Sequence, residues 1–340
     1  MINFVLLLLV YMGIYSILAL SQNLITGFGG MLSLAHAAFF AIGSYTTAIM
    51  MHSAAQAGAG FDLIWAFMLS ALLSGLLGVL IGLPTLRLRG DYLAIATLGF
   101  GEITRNVILN WDSLTRGPMG FSGLAAPKIL GLQLDPTNKW GYVIMTWLVV
   151  ALVFLLLRRL TRSRIGRALD AVREDEIAAW SMGINITQYK VGAFIVGALV
   201  AGFAGTLWTA YNQSVSPNSF DFLLSVNVLC MVVLGGLGNH WGSILGAVLL
   251  VLVAELPRLL GLSSILPPQV RQILFGVVLV SMMIFRPQGI IVRRRPALPG
   301  RRAGGGGSSG GPGGGSGGRA GSSPGQGIGD AAVDVSGGDA

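Results

Sequence analysis

Apolar residues run along this chain in block after block, broken only by short polar, charged or glycine-rich stretches. Nine blocks approach the ~20 residues that a helix needs to cross a hydrocarbon core. They are Phe4–Leu20, Met31–Met51, Leu63–Leu83, Tyr92–Leu109, Gly141–Leu157, Val191–Ala210, Phe222–Leu237, Ser243–Leu256 and Val270–Phe285. The pattern predicts an all-α integral membrane protein of about nine transmembrane helices, because a spanning segment must satisfy its own backbone in lipid. The fourth block differs from the rest. It carries Glu102 and Arg105, which must be sheltered inside a bundle or lie partly outside the core. No basic residue precedes the first block, so it is expected to stay as an uncleaved helix rather than act as a leader.

Composition agrees with this. Hydrophobic residues make up 53% of the 340 and charged residues only 11%, too few to coat a soluble protein of this size. The net charge of +8 points to topology and anionic lipid headgroups, not to nucleic acid, because most arginines flank apolar blocks. Arg87 and Arg89 end the third block, Arg158 to Arg173 follow the fifth, and Arg286 with Arg293, Arg294 and Arg295 end the ninth. All three clusters fall on one side, the cytoplasmic one, which puts the N-terminus outside and the C-terminus inside. Residues 158–190 then form a cytoplasmic loop. Its second half mixes Arg173, Glu174, Asp175 and Glu176 with Ile177, Ala178, Ala179, Trp180 and Met182. A short helix lying on the membrane surface has that composition, and Gly183 with Asn185 ends it.

The longest external loop, residues 110–140, carries TRGPMGFSG from Thr115 to Gly123, whose glycines and proline impose turns. Two readings stand for it, a tight connector and part of a docking face or solute entrance. Residues 1–295 are expected to form the membrane domain, and 296–340 a Gly/Ser-rich disordered tail with almost nothing to bury.

One stretch matches another. AFMLSALLSGLLGVL from Ala66 aligns without gaps on AFIVGALVAGFAGTL from Ala193, pairing Gly75 with Gly202 and Gly78 with Gly205. Each copy leads to a similar restart, Asp91-Tyr92-Leu93 and Asp221-Phe222-Leu223. An odd number of blocks separates the copies, so they cross the membrane in opposite senses. Inverted repeats of this kind let transporters open to two faces in turn. Glycines also cluster at Gly27, Gly29 and Gly30 before the second block, and from Gly235 to Gly238 before the eighth. Interrupted helices near a pore, exposing backbone to a polar solute, and plain hairpins are both open for the first cluster. Hairpins are expected for the second.

Chemistry is sparse. Lys128, Lys139 and Lys190 lack the phosphate-binding GxxxxGK[ST] context. His36, His52 and His240 have no second ligand at metal spacing, and Cys230 is alone. No cofactor and no metal are expected. Ser33 and His36 on one helical face suggest packing or a polar pore lining, since no placed acid completes a catalytic set. Glu102 and Arg105, three residues apart, either neutralise each other within the bundle or contact a zwitterionic solute.

Five separated motifs carry a resemblance: GGMLSLAHAAFFAIGSYT, GDYLAIATLGFGEITRNV, TRGPMGFSG, IGRALDAVREDEIAAWSMGINITQYK and VLGGLGNHWGSILGA. In these the chain resembles the LivM-type permeases of the branched-chain amino acid ABC transporter family. The resemblance implies a permease subunit without its own ATPase site. Its partners would be a second, LivH-like permease subunit, two cytoplasmic ATPase subunits and a periplasmic solute-binding protein. It implies a bacterial inner-membrane protein that moves branched-chain amino acids by alternating access. The family's coupling segment falls on Arg173–Gly183. There Glu174, Asp175 and Glu176 would meet the ATPase while Ile177, Ala179 and Trp180 seat the short helix. The candidate translocation path comprises Gly27, Gly29, Gly30, His36 and Glu102. Related permeases carry urea or short amides. An ion-coupled secondary transporter is the rival from another class, and Glu102 is the carboxylate best placed for it.

Overall fold

The computed structural model describes residues 2–57, 61–85, 88, 90–129, 132–133, 139–259, 276 and 290–291. Helices dominate: α1 (Ile2–Gln22), α2 (His36–Gln56), α3 (Leu63–Thr85), α4 (Asp91–Asn110), the one-turn α5 (Asp112–Thr115), α6 (Lys139–Arg162), α7 (Arg164–Glu174), α8 (Glu176–Ser181), α9 (Ile186–Asn212), α10 (Phe222–Gly235) and α11 (His240–Leu259). Two-residue strands β1 (Lys128–Ile129) and β2 (Leu132–Gln133) pair as a hairpin, and short 3-10 turns lie at Gly117–Met119 and Pro217–Ser219.

Among the described residues five helical segments are long and apolar enough to cross a membrane: 3–28, 63–85, 139–162, 186–212 and 217–235, while 240–255 is shorter. The outer helices carry bare apolar ridges. On α3 these are Trp65, Met68, Leu72, Leu76 and Leu80, each at least 63% exposed. On α6, Ile144, Leu148, Leu152 and Leu155 are exposed likewise. Faces of this kind suit hydrocarbon, and the chain is a multi-pass membrane protein.

The predicted block Met31–Met51 becomes a helix only from His36. Residues 29–35 are non-helical, although their apolar side chains count toward the block. α1 also runs past its predicted end, through a π-helical turn, Asn23–Phe28. The first glycine cluster is therefore a helix interruption, and the second is a tight turn with Gly236 and Gly238 at positive φ. The two meet, since the Gly238 amide donates to Asn23 Oδ1 at 2.8 Å.

Helix α2 falls short of the hydropathy that marks the five spans, because it is enclosed by protein. Its residues His36 to Ala41 and Gly43 to Ala48 are buried, so its outer surface meets neighbouring helices instead of lipid. Hydroxyls tie it to α3 and α9. Ser70 Oγ and Thr206 Oγ1 lie 2.6 Å apart, Thr47 Oγ1 donates to Thr206 Oγ1 at 3.1 Å, and Ser74 Oγ donates to the Phe39 carbonyl at 3.0 Å. Bonds of this kind between helices are worth about 0.6 kcal/mol each in a membrane.

The two repeat helices, α3 and α9, pack against each other in opposite directions. Cβ atoms placed on Gly75, Gly78 and Gly82 of α3 would approach Leu199, Ala198 and Phe194 of α9 in turn, so one index rises as the other falls. The inversion expected from the sequence match is thus built into one direct contact.

Helix α10 itself has 14 residues, and with the stretch before it the segment 217–235 is long enough to cross. The preceding stretch is pinned to the 110–140 loop by the pair Phe121 N to Val215 O, 2.9 Å, and Val215 N to Phe121 O, 2.8 Å. In the same loop the Arg116 guanidinium lies 2.9 Å from the His52 ring and over Phe121. TRGPMGFSG is therefore a latch onto residues 213–216. All of the ninth block but residue 276, the tail 296–340 and the arginines at 87, 89, 286 and 293–295 lie outside the described residues.

Candidate functional site

Three places gather the polar residues of this chain. The first is the elbow formed by α7 and α8 between the long helices α6 and α9. Ser163 caps α7 by accepting from the Ile165 amide, and Asp175 caps α8 by accepting from the Ile177 and Ala178 amides at 2.8 and 3.0 Å. Such a cap is worth about 1 kcal/mol. Helix α7 is seated by Leu169 and Val172, and α8 by Ala179. Glu176 reaches Lys190 at 2.6 Å, joining α8 to the first turns of α9. Gly183, at φ +81, ends the turn that follows.

Within this chain Ala179 is the buried residue of α8, while Ile177, Trp180 and Met182 are 69 to 71% exposed. Asp175 caps the helix and Glu176 pairs with Lys190, and Glu174 and Asp175 are both exposed. A six-residue helix buries only one narrow face, and Ala179 occupies it. Arg173, exposed overall, reaches the end of α1. Its guanidinium donates to the Gly27 carbonyl, and its stem lies against Gly30, whose φ of +68 and crowding leave no room for a side chain.

The second place is the buried cluster around the end of α1. His36 is 0% exposed. Its Nε2 lies 2.9 Å from Ser21 Oγ, and that hydroxyl donates to the Gly197 carbonyl at 2.6 Å. Ser21 has one proton and gives it to Gly197, so the imidazole must donate from Nε2. Gln22 Nε2 donates to the Ser33 carbonyl at 2.8 Å. Gln22 Oε1, Asn23 Nδ2 and His36 Nδ1 are buried without protein partners. Ser33 precedes α2 and does not share a helical face with His36, contrary to the sequence expectation. Gly27 and Gly29 are buried beside this cluster, and Gly30 is exposed.

The third is a narrow cleft where α4 meets the starts of α2 and α10, with room for about one water. Glu102, near the middle of α4, lies in its wall with Asp221 and Ser225 of α10. Ser225 Oγ accepts from the Ala37 amide at 3.0 Å, which ties the two helix starts together. Arg105 sits one turn along, 3.4 Å from Glu102 and 3.4 Å from Asn218 Oδ1.

The structure thus scatters the expected path residues. Gly27, Gly29, Gly30 and His36 belong to the α1 end, and Glu102 belongs to the cleft. Sequence reasoning did not single out Gln22, Asn23 or Ser225. The polar run Ser21-Gln22-Asn23 directly after an apolar block was the available signal. Ser225 had none, being one hydroxyl in an apolar helix. Among the described residues no three His, Cys, Asp or Glu side chains converge as for a metal.

Known proteins align with most of this chain. Residues 4–283 match the family described as branched-chain amino acid transport system / permease component. The high-affinity branched-chain amino acid transport system permease protein LivM of Salmonella typhimurium is 43% identical over 308 residues, covering 84% of this chain and 69% of that protein. The probable LivM permease of Methanocaldococcus jannaschii is 26% identical over 328 residues, covering 85% and 94%. The LivH permease of Salmonella typhimurium is 26% identical over 294 residues, covering 82% and 91%. The match takes in the helical bundle, the elbow and the cleft together, and the chain belongs to the family of branched-chain amino acid transport permease components.

Proposed function

We propose that this protein is a permease subunit of an ATP-driven importer that carries branched-chain amino acids across the bacterial inner membrane by alternating access. The observation that carries the reading is the family match over residues 4–283, with 43% identity to a permease named for that transport. Similarity to LivH as well as LivM supports a pair of related permease subunits. The remaining partners follow as two cytoplasmic ATPase subunits and a periplasmic solute-binding protein. Residues 1–295 act as the permease domain, with the N-terminus periplasmic, the C-terminus cytoplasmic and the 110–140 loop on the periplasmic side.

In this reading the elbow is the coupling device. Ile177, Trp180 and Met182 present an apolar edge to a groove on the ATPase, and Glu174 lies beside it. Motion then passes along two routes. Glu176 and Lys190 lead it into α9, and Arg173 leads it to Gly27 and the end of α1. ATP binding drives the change only if the ATPase pair binds one permease state better than the other.

Reconstitution tests this directly. Proteoliposomes carrying the chain with its partner subunits should accumulate labelled leucine when ATP and loaded binding protein are supplied, with or without a proton gradient. Uptake that follows the proton gradient at constant ATP overturns the reading.

A further inference from the structure

We propose that the corner between α6 and α7 is a binding site for the headgroup of an anionic phospholipid, with Arg159 and Arg162 as its principal contacts and Arg164 and Arg167 beside them. The proposal concerns the chain's surface in the bilayer and does not depend on which solute is carried.

The ridge of α6 carries the argument. Ile144, Leu148, Leu152 and Leu155 are 50 to 65% exposed and recur at steps of four, four and three, which keeps them on one helix face. The next steps of four and three on that face fall on Arg159 and Arg162, both exposed. The face that suits lipid tails therefore ends on guanidinium groups.

Length agrees with this placement. Segment 139–162 is long and apolar enough to cross a membrane, and Trp140 near its start is exposed. From Trp140 to Arg159 the helix rises about 29 Å at 1.5 Å per residue, close to the ~30 Å of hydrocarbon. Tryptophan is favoured at the level of the headgroups. With Trp140 at one interface, Arg159 stands at the other and Arg162 lies just outside it.

Helix α7 adds to the corner. Gly166 packs so closely on the Thr161 backbone that a Cβ would clash, so α7 begins directly against the last turn of α6. Gly166, Leu169 and Val172 form its buried side, which leaves Arg164, Ile165 and Arg167 exposed. Two cations around one exposed apolar side chain suit a helix lying in the headgroup layer. Among the described residues none of the four arginines has an ion pair with a carboxylate. Guanidinium groups left open in this way match a phosphodiester, whose oxygens accept paired N–H donors. Topology alone asks for positive charge on one side of the membrane, and does not ask that it continue the lipid-facing ridge. An acidic protein surface is the competing occupant, but a protein on Arg159 would also have to cover the leucines that lead to it.

The test places the full-length chain with its partner subunits in phosphatidylcholine nanodiscs, with bimane on Ile165→Cys in a Cys230→Ser background. Quenching by doxyl-labelled phosphatidylglycerol is compared with quenching by doxyl-labelled phosphatidylcholine. An arginine near the surface favours an anionic lipid about fivefold, so the wild-type arginines should give a preference of about tenfold or more for phosphatidylglycerol. Arg159→Gln combined with Arg162→Gln should remove most of it, while Lys139→Gln at the opposite end of α6 should leave it intact. Salt at about 1 M, where the Debye length is ~3 Å, should weaken the preference without any substitution at the arginines. Equal quenching by the two lipids overturns the proposal, as does a preference that the double glutamine variant and high salt both leave untouched. An equal loss in Lys139→Gln overturns it by showing a general charge effect. A preference that emerges only when the ATPase subunits are removed overturns it too, because protein then covers the corner in the assembly.

Discussion

At Gly202 three helices meet with no space for a side chain. A Cβ there would lie 2.8 Å from both the Ser70 carbonyl and Ser74 Oγ, and Gly43 of α2 approaches the same residue from its own side. Close backbone contact of this kind is what small residues give to membrane helices. Gly202→Val should therefore destabilise the protein by about 1–3 kcal/mol through overpacking, read as a lower Tm in detergent. Gly192→Ala on the same helix meets nothing within 4 Å and should leave Tm unchanged. Equal behaviour of the two variants contradicts the packing account. The paired glycines were legible in the sequence as a repeat. Which residue each would touch was not, because a spacing of three fixes a face and does not name its neighbour.

The elbow shows at the level of elements how sequence and structure part. The mix of charged, small and apolar residues over 173–183 suggested a short helix on the membrane surface, and within that stretch the six-residue α8 follows the end of α7. The roles of its side chains could not be assigned from order alone. Asp175 is followed by helix and caps it, while Ile177 and Trp180 project outward. Asp175→Asn should keep near wild-type uptake, since Asn caps about as well as Asp, whereas Trp180→Ala combined with Ile177→Ala should abolish it with the subunit still inserted. Loss of uptake in Asp175→Asn together with retention in the double alanine variant contradicts this division of roles. The helix boundaries carry the same lesson. Apolar blocks ran through residues 31–35 and 213–221 or stopped beside them, but hydropathy reports what lipid tolerates and not whether the backbone is helical. Chain breaks at these places set where α2 and α10 begin, and the cleft lies between those starts.

For the whole molecule, the antiparallel pair α3 and α9 packs with the enclosed α2, and the elbow joins α6 to α9. Class and architecture were legible because lipid imposes long apolar helices. The cleft was not, because Glu102, Asp221 and Ser225 come from segments joined only by folding. The central claim is that the elbow faces the cytoplasm and is held there by the ATPase. Its most direct measurement is maleimide labelling of Trp180→Cys in a Cys230→Ser background, in right-side-out and inverted vesicles with and without the ATPase subunits. The account predicts labelling in inverted vesicles alone and protection when the ATPase is bound. Labelling only from the periplasmic face, or labelling that the ATPase leaves untouched, would contradict it.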